Sequence, residues 1–600
     1  MLVSGVAVVL FMAGVLGILL FPKSRRSANG VKGIIIGTMA VLCYTAFPAA
    51  VYNAFGITVN LQTTCIALAV LDALLWVGII RKKSVQKLFW RVSDIICVLL
   101  ICGFVIGVAM HVFTPQLKLQ YWNIDATSHF GYANDIVHTG KWTSKIYFSA
   151  YIDAMMIELF APFLAQVFYY KAFIVADIFM HVLEICMFYC LVLTIRDSKI
   201  TRIMAPILSI AYFFGYPAYS FMQGHFVYWS NGVVILMFII YALLLLEKYE
   251  DVTKPALVLL LLGAYANSCC NKLFVPTNTF ALFVVLFVIL MRRQKSAENK
   301  KKMIIALAAI AAAALLAVII YLVVWGDGLT DAFAALQRPG GIYSALYADL
   351  IFFLPPLFYV VYSVFAQKKE YLTVLVMSLC MLAVTAGMYI LWHNKLIVPY
   401  YYYKIYYNLW LCGWLLVAAA LGIMEERQKL AGFFSYFGMA AFVAWITISG
   451  YDAKIVSVRE DYNSVSATTQ LFPIYRYNTD NLETDYAQFE LPEQFIDIIN
   501  YTIEEMADEN VRIVSENKTL RKWFASIDRS HKKTSDWDKY SDITELLAFL
   551  DKKNVDAIVV LKEEQKYQMF QAYFADCVVV YENDKAAILK PAGEKWLEVE

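Results

Sequence analysis

Apolar stretches of about 20 residues recur along this chain from residue 2 to about residue 448, and they constrain its fold more than any other feature. A helix rises about 1.5 Å per residue, so each stretch is long enough to cross about 30 Å of hydrocarbon. Inside lipid every backbone N–H and C=O must be paired within the segment, so such stretches are helices. The 600 residues are 61% hydrophobic and only 16% charged, too little charge for a water-facing surface of this size. The chain therefore reads as an α-helical polytopic membrane protein. Fourteen spans are expected, near 2–21, 33–54, 60–80, 92–113, 172–195, 203–222, 228–246, 255–270, 274–291, 303–325, 346–366, 371–392, 405–424 and 431–448. Two of them, 255–270 and 274–291, are short, and "NSCCNKLFVP" between them reads as a tight hairpin or re-entrant segment. The first stretch has no basic residues before it and no small-residue cleavage site, while Lys23, Arg25 and Arg26 follow it. It is expected to be a retained span, not a removed signal.

Basic residues set the expected orientation. Segments 22–32, 81–91, 196–202, 247–254, 292–302, 367–370 and 425–430 together hold 24 Lys and Arg. The alternating set 55–59, 114–153, 223–227, 271–273, 326–345 and 393–404 is longer yet holds 7. Short basic loops stay in the cytoplasm, so the second set, and both termini of a fourteen-span chain, are expected outside. The net charge of +2 averages over both sides and says nothing about partners; no feature points to nucleic acid. The 11 cysteines have no zinc or disulfide-scaffold spacing and read as small packing residues.

The division that follows is a four-span segment at 1–113, an external loop with an interfacial helix at 114–171, and a ten-span core at 172–448. Residues 449–489 read as a linker or irregular arm. From 490 the pattern changes to helices at 492–508, near 518–526 and at 542–554, alternating with apolar β runs at 511–515, 556–561, 577–583 and 586–590. A small extracytoplasmic α/β domain with a three- or four-stranded sheet is expected. It carries no Gly-rich phosphate loop and no metal-ligand cluster, so substrate guidance or partner binding, not chemistry, is its expected role. Its NYT (500–502) and NKT (517–519) sequons matter only in a eukaryotic secretory route.

One polar island interrupts the apolar part. "YWNIDATSHFGYANDIVHTGKW" (121–142) holds Asp125, His129, Asp135 and His138 and falls on the outer side. After it, "YIDAMMIELFAPFLAQVFYY" (151–170) is apolar but broken by Asp153, Glu158 and Pro162, and reads as a helix lying at the interface. A polar loop backed by an interfacial helix builds a pocket where a lipid-borne donor can meet a water-borne acceptor. There a carboxylate such as Asp125 could take the proton of an acceptor hydroxyl, and His129 and Asp135 could assist. The plainer alternative is that Asp125, Asp135 and the histidines are solvated loop residues. A phosphate leaving group would need cations or a bound divalent metal ion. Beyond the island and its flanks, external cations are few: Lys272, Arg338, Lys395 and Lys404. These are expected either to clamp a donor phosphate or simply to snorkel at span ends. Tyr402 in "PYYYYK" either lines a polyprenyl or sugar groove or belongs to an interfacial belt.

Asp125 followed by "SHFGYA" (128–133) and "HTGKW" resembles the first external loop of GT-C type membrane glycosyltransferases, such as protein O-mannosyltransferases and bacterial lipid A and wall-polymer enzymes. The resemblance implies inverting transfer of a sugar from a polyprenyl-phosphate-type donor to a surface glycan, lipid or protein acceptor, in a bacterial cell membrane. Asp125 takes the place of the family's loop aspartate, as general base or acceptor-orienting group. The glutamate that follows it in the family is Ala126 here. A second carboxylate from a later loop would be Asp327, Asp331 or Asp349.

Within a span, Asp177, His181 and Glu184 share one helix face. Structural hydrogen bonding or a polar cavity wall is the expected role, with a proton path or metal site as alternatives. Two other function classes stay open beside the transferase. One is a transporter or flippase of lipid-linked saccharide, which usually shows two similar halves that are not found here. The other is a non-catalytic assembly protein, which Ala126 favours.

Overall fold

A computed structural model describes residues 1–22, 26–119, 124–142, 148–214, 227–270, 273–293, 353–366, 371–426 and 490–597, the short strands 341–343 and 455–457, and a few single positions. Nine helices among these residues are long and apolar enough to cross a membrane. Four precede the polar island: α1 (Leu2–Leu20), α2 (Gly30–Ala54), α3 (Leu61–Lys82) and α4 (Val92–Phe113). Next come α5 (Ile124–Thr139) and α6 (Phe148–Phe160), which are not among the nine. They are followed by α7 (Tyr169–Ile195), α8 (Lys199–Phe214), α9 (Val227–Lys248), α10 (Thr253–Ser268) and α11 (Phe274–Arg293). The rest of the bundle is α12 (Leu354–Ala366), α13 (Leu372–His393), α14 (Pro399–Lys404) and α15 (Tyr406–Glu426).

Nine is fewer than the fourteen expected, for two reasons. Helices α8, α10 and α12 lie where spans were expected, with 16, 16 and 13 residues among those described; residues 215–221 after α8 and 351–352 before α12 lie outside the described residues. The expected spans 303–325 and 431–448 lie outside the described residues, as does most of the expected linker 449–489. The island also differs from expectation: α5 is a 16-residue helix, not an open loop. The interfacial segment is shorter than its apolar run, because Pro162 follows α6 and the chain turns through two 3-10 turns, Ala161–Phe163 and Gln166–Phe168.

Amides hold part of the bundle in register. Asn278 of α11 donates to Asn267 of α10 (3.0 Å), and Asn408 of α15 donates to Asn278 (2.9 Å), all three being buried. Between apolar helices in lipid, each such bond fixes the rotation of its partners.

The two ends of the bundle differ in chemistry. At one end Asp197 bonds Arg91 and Arg202, Lys248 donates to the Thr194 carbonyl (2.8 Å), and Glu247 caps α13 by accepting from the Leu372 and Thr373 N–H groups (2.7 and 2.9 Å). At the other end lie α5, α6 and the C-terminal domain.

That domain comprises α16 (Glu493–Glu505), α17 (Lys518–Ile527), α18 (Ile543–Lys552) and a five-stranded sheet. With the two-residue pair β1 (Ala28–Asn29) and β2 (Leu88–Phe89), and the antiparallel pair β3 (Gly341–Tyr343) and β4 (Ile455–Ser457), its strands are β5 (Val511–Ser515), β6 (Thr534–Asp536), β7 (Ala557–Leu561), β8 (Val578–Glu582) and β9 (Ala586–Lys590). The order is β6-β5-β7-β9-β8, parallel across β6, β5 and β7 and antiparallel beyond. The fifth strand, "TSD", is short, polar and at the edge, so it lacks the apolar alternation that marked the others. One sheet face (Ile513, Val559, Ile588) joins the core that runs into the bundle; the other (Val514, Ile558, Val560, Leu589) packs on α18 and Trp537 in a separate core.

Candidate functional site

Helix α5 carries the site, and it is held from three sides. At its C-terminal end Gly140 adopts φ +62°, where a Cβ would strike the Thr58 side chain at 2.1 Å, and its carbonyl accepts from Val59 N–H at 2.7 Å. Two residues on, Trp142 N–H donates to Asn53 Oδ1 (2.8 Å), and the Trp142 ring stacks on Tyr151 of α6 (5.7 Å, 17°). Glu158 of α6 in turn accepts the N–H of Leu61, fastening α6 to the start of α3. Burial pushes the Glu158 carboxyl up to about 7.

The C-terminal domain holds the third side. Thr127, Phe130, Gly131, Asn134 and Asp135 recur every three to four residues and form one face of α5, against α17. Ser526 Oγ donates to the Thr127 carbonyl (2.7 Å), and Asn134 Nδ2 donates to the carbonyls of Ser526 (3.0 Å) and Ile527 (3.2 Å). Phe130 packs against Trp523, ring to ring at 6.4 Å. A Cβ at Gly131 would lie 3.2 Å from Ser526 Oγ, so glycine lets the two helices approach. The Asp135 carboxylate accepts from Arg529 (Nε at 3.2 Å, and Nη2) and from Lys532 Nζ. Partial burial opposes its ionisation, but these two cations outweigh it and hold the carboxyl below its usual range. A carboxylate held in this way is a tether, poorly suited to taking a proton. Further along the seam, Lys118 pairs with Glu490 (2.7 Å), and Leu491 N–H donates to the Leu119 carbonyl (2.8 Å).

Asp125 and His129, one turn apart, lie off that docking face. Asp125 is exposed, and its charge acts favourably on Lys404 of α14. Lys404 is only 7% exposed, and its Nζ lies over the rings of Tyr400 (5.0 Å) and Tyr407 (5.1 Å). Cation–π contact compensates part of the lost hydration of the ammonium. His129 is part-exposed and meets Tyr132 edge-on (6.1 Å, 83°). Its apolar surroundings push the imidazole down to about 3, so it is neutral and suited to orienting a hydroxyl. His138 bonds the Asn134 carbonyl through Nδ1 (2.8 Å) and Gln166 through Nε2 (2.9 Å).

The expected residues therefore separate. The charge of Asp125 reaches Lys404, with His129 one turn from Asp125; Asp135 faces the C-terminal domain instead. Tyr402 stacks on Trp392 (5.3 Å, 22°) and meets Tyr389 edge-on (5.7 Å), forming an aromatic wall where α13 meets α14. Lys395 is exposed just past α13, at φ +58°, with its N–H on the Trp392 carbonyl (2.8 Å). Lys272, Arg338, Asp327, Asp331 and Asp349 lie outside the described residues. Sequence reasoning missed Arg529 and Lys532, which are some 400 residues from Asp135 and carry no local signal. It also missed Tyr400 and Tyr407, although their i−4 and i+3 spacing to Lys404 was available. Among the described residues no group of three or more His, Cys, Asp or Glu side chains could hold a metal ion. No protein-family model matches the chain, and no curated protein matches it.

Proposed function

We propose that the chain is an integral membrane glycosyltransferase that moves a sugar from a polyprenyl-phosphate-type donor to a glycan, lipid or protein acceptor on the outer face of a bacterial membrane. The observation that carries this reading is that the charge of the exposed Asp125 reaches the buried Lys404 at the bundle end opposite the basic cluster. A transferase needs both charges there: a carboxylate for the acceptor hydroxyl and a cation for the phosphate. The acceptor O–H proton passes to the Asp125 carboxylate while its oxygen bonds to the sugar's anomeric carbon. The bond from that carbon to the donor phosphate breaks, and its electron pair leaves with the phosphate oxygen toward Lys404. His129 orients the hydroxyl, and the wall of Tyr389, Trp392 and Tyr402 takes the apolar prenyl chain. The described carboxylates at the site offer no ligand set for a divalent ion, so no step runs through one.

The test is transfer of labelled sugar from a panel of polyprenyl-phosphate donors by purified protein, comparing wild type with Asp125→Asn at equal folded yield. Transfer that vanishes in the variant while donor binding persists supports the reading. Retained transfer moves catalysis to another carboxylate. A transporter of lipid-linked saccharide is the second reading, favoured by the ionisable groups buried within α7. Passage of lipid-linked sugar across vesicle membranes without transfer from any donor would establish it.

A further inference from the structure

Inside the bundle, away from Asp125, six polar side chains from four helices converge where apolar packing would be expected. Helix α6 contributes Asp153, α7 contributes Asp177, His181 and Glu184, α8 contributes Tyr212, and α9 contributes Ser230. Asp177, His181, Glu184 and Ser230 are 0% exposed and Asp153 is 1% exposed. Contacts link them in sequence. Asp153 and Asp177 repel one another as like charges. His181 Nδ1 lies 2.9 Å from Asp177 Oδ1, and its Nε2 lies 3.2 Å from Ser230 Oγ. Ser230 also neighbours Glu184, whose Oε1 accepts from the Tyr212 hydroxyl (2.7 Å). From Tyr169, the start of α7, the helix rise places Asp177 about 12 Å and Glu184 about 22 Å into the bundle.

Charge compensation is the difficulty. The charged groups acting on Asp153 and Glu184 are those of the cluster itself, Asp177 and His181. Other ionisable groups on α7 and the helices packed against it are engaged elsewhere. Lys171 lies over the Phe168 ring, and Glu158 accepts from Leu61 N–H. His111 is exposed in the last turn of α4, and Arg202 and Lys248 belong to the basic end. Asp94 of α4 bonds Asn29 and Tyr189 at the basic end, and Lys32 of α2 lies near Asp94 and Asp197 there. Lys404 feels the charge of Asp125, and Asp135 is with Arg529 and Lys532. The His181 imidazole lies against Asp177 and acts on Glu184, while the charge acting on Asp153 is the like charge of Asp177. A buried carboxylate in such surroundings takes up a proton instead. Asp153 adds a separate observation: its Oδ1 is buried and has no hydrogen-bond partner. Such an atom is ill placed to carry charge, and a bound proton removes that charge. Burial and the neighbouring Asp177 push the Asp153 carboxyl well above the carboxylate range.

We propose that Asp153, Asp177, His181, Ser230 and Glu184 form a proton-binding site within the membrane bundle, loaded from the α5–α6 end, with Asp153 as its outermost member. Loading moves one proton from water onto the Asp153 carboxylate. Beyond Glu184, α7 continues through apolar residues from Ile185 to Phe188. Because α6 packs against both α5 and α7, the protonation of Asp153 bears on the helix that carries Asp125.

Infrared difference spectroscopy of the full-length protein in lipid nanodiscs tests this without any substrate. The wild type should show a protonated-carboxyl stretch at neutral pH that shifts in D2O, and Asp153→Asn, which imitates the neutral acid, should remove it. Replacing His181 by Gln removes the compensating cation, so remaining carboxyl bands should persist to a pH about one unit or more higher. Absence of any protonated-carboxyl band from the wild type at neutral pH would overturn the proposal, as would a band unchanged in Asp153→Asn. The experiment reads protons alone, so its failure is separable from failure of the transferase reading.

Discussion

Two carboxylates stand ten residues apart on α5, and their surroundings could hardly differ more. Asp135 points to the C-terminal domain and is clasped by Arg529 and Lys532. Asp125 is exposed, and its charge acts favourably on the buried Lys404. One helix thus has a docking face and a face turned to the site. The comparison teaches that the island's polarity has two sources: Thr127, Asn134 and Asp135 are polar because a domain must be gripped, and Asp125 lies off the gripping face, which leaves it open to the role proposed for it. Counting polar residues in the sequence cannot make that division; their partners make it.

The largest expected effect falls on the site face. Asp125→Asn keeps the shape of the side chain but removes the proton acceptor, so sugar transfer should drop by about 10²–10⁴. The protease resistance of the C-terminal domain should stay at the wild-type value, because Asp125 is exposed and outside the docking face. Domain release by this variant would erase the distinction between the faces.

The docking face should show the reverse pattern. Gly131→Leu drives a side chain into the space held by Ser526 Oγ and Arg529, where a Cβ already meets atoms at 3.2 and 3.5 Å. Overpacking of this kind costs about 1–3 kcal/mol. It should appear as faster proteolysis within 490–597, with a loss of transfer only in proportion to the released fraction. A Gly131→Leu protein with an intact domain and full resistance would show that α17 does not need this close approach.

Asp135→Asn is a milder break of the same seam. It removes one charge from a half-buried group of three, and the Arg529 and Lys532 side chains can still reach water, so a loss of about 1–2 kcal/mol is expected. High salt should weaken the wild type toward the variant. If instead Asp135→Asn abolished transfer at equal domain protection, Asp135 would belong with Asp125.

How much of this was legible beforehand follows from the range of the forces involved. Spans, helix positions in the C-terminal domain and four of its five strands follow from local apolar periodicity, which a sequence displays directly. Asp125 and Lys404 were both singled out, but as members of separate lists; nothing local joins positions 125 and 404. Asp135 was grouped with Asp125 because both are acidic and near one another in the chain. Their separation depends on Arg529 and Lys532, whose approach is set by the tertiary packing of α17 on α5. The helical form of the island was also hidden, since Gly131 and a run of polar residues lower the intrinsic preference that packing then overrides. The fourteen spans were drawn from hydropathy alone, which does not distinguish a 16-residue helix such as α10 from a full crossing.

The smallest effect concerns the loop that aims the two cations at Asp135. Asp528 accepts from the Thr502 hydroxyl (2.7 Å) and bonds His531 Nδ1 (2.6 Å), while His531 Nε2 meets the carbonyls of Met506 (3.1 Å) and Glu509 (3.0 Å). Both ring nitrogens face acceptors, so the imidazolium fits this pocket better than the neutral ring. Burial opposes that charge, but Asp528 and the two carbonyls outweigh it and raise the affinity of His531 for its proton. The stabilisation is complete below the ordinary histidine range and is lost as pH rises through the raised value. As pH rises above the ordinary histidine range the seam of α17 on α5 should therefore loosen slightly, seen as faster proteolysis of 490–597 after allowance for the protease's own pH response. His531→Gln should flatten that dependence. Since Arg529 and Lys532 bracket His531 and grip only the docking face, loosening of the loop should leave the position of Asp125 relative to Lys404 unchanged. A pH response equal in wild type and His531→Gln would place the titrating group elsewhere, and Glu158, on the α6 side of the helix, would be the next residue to replace.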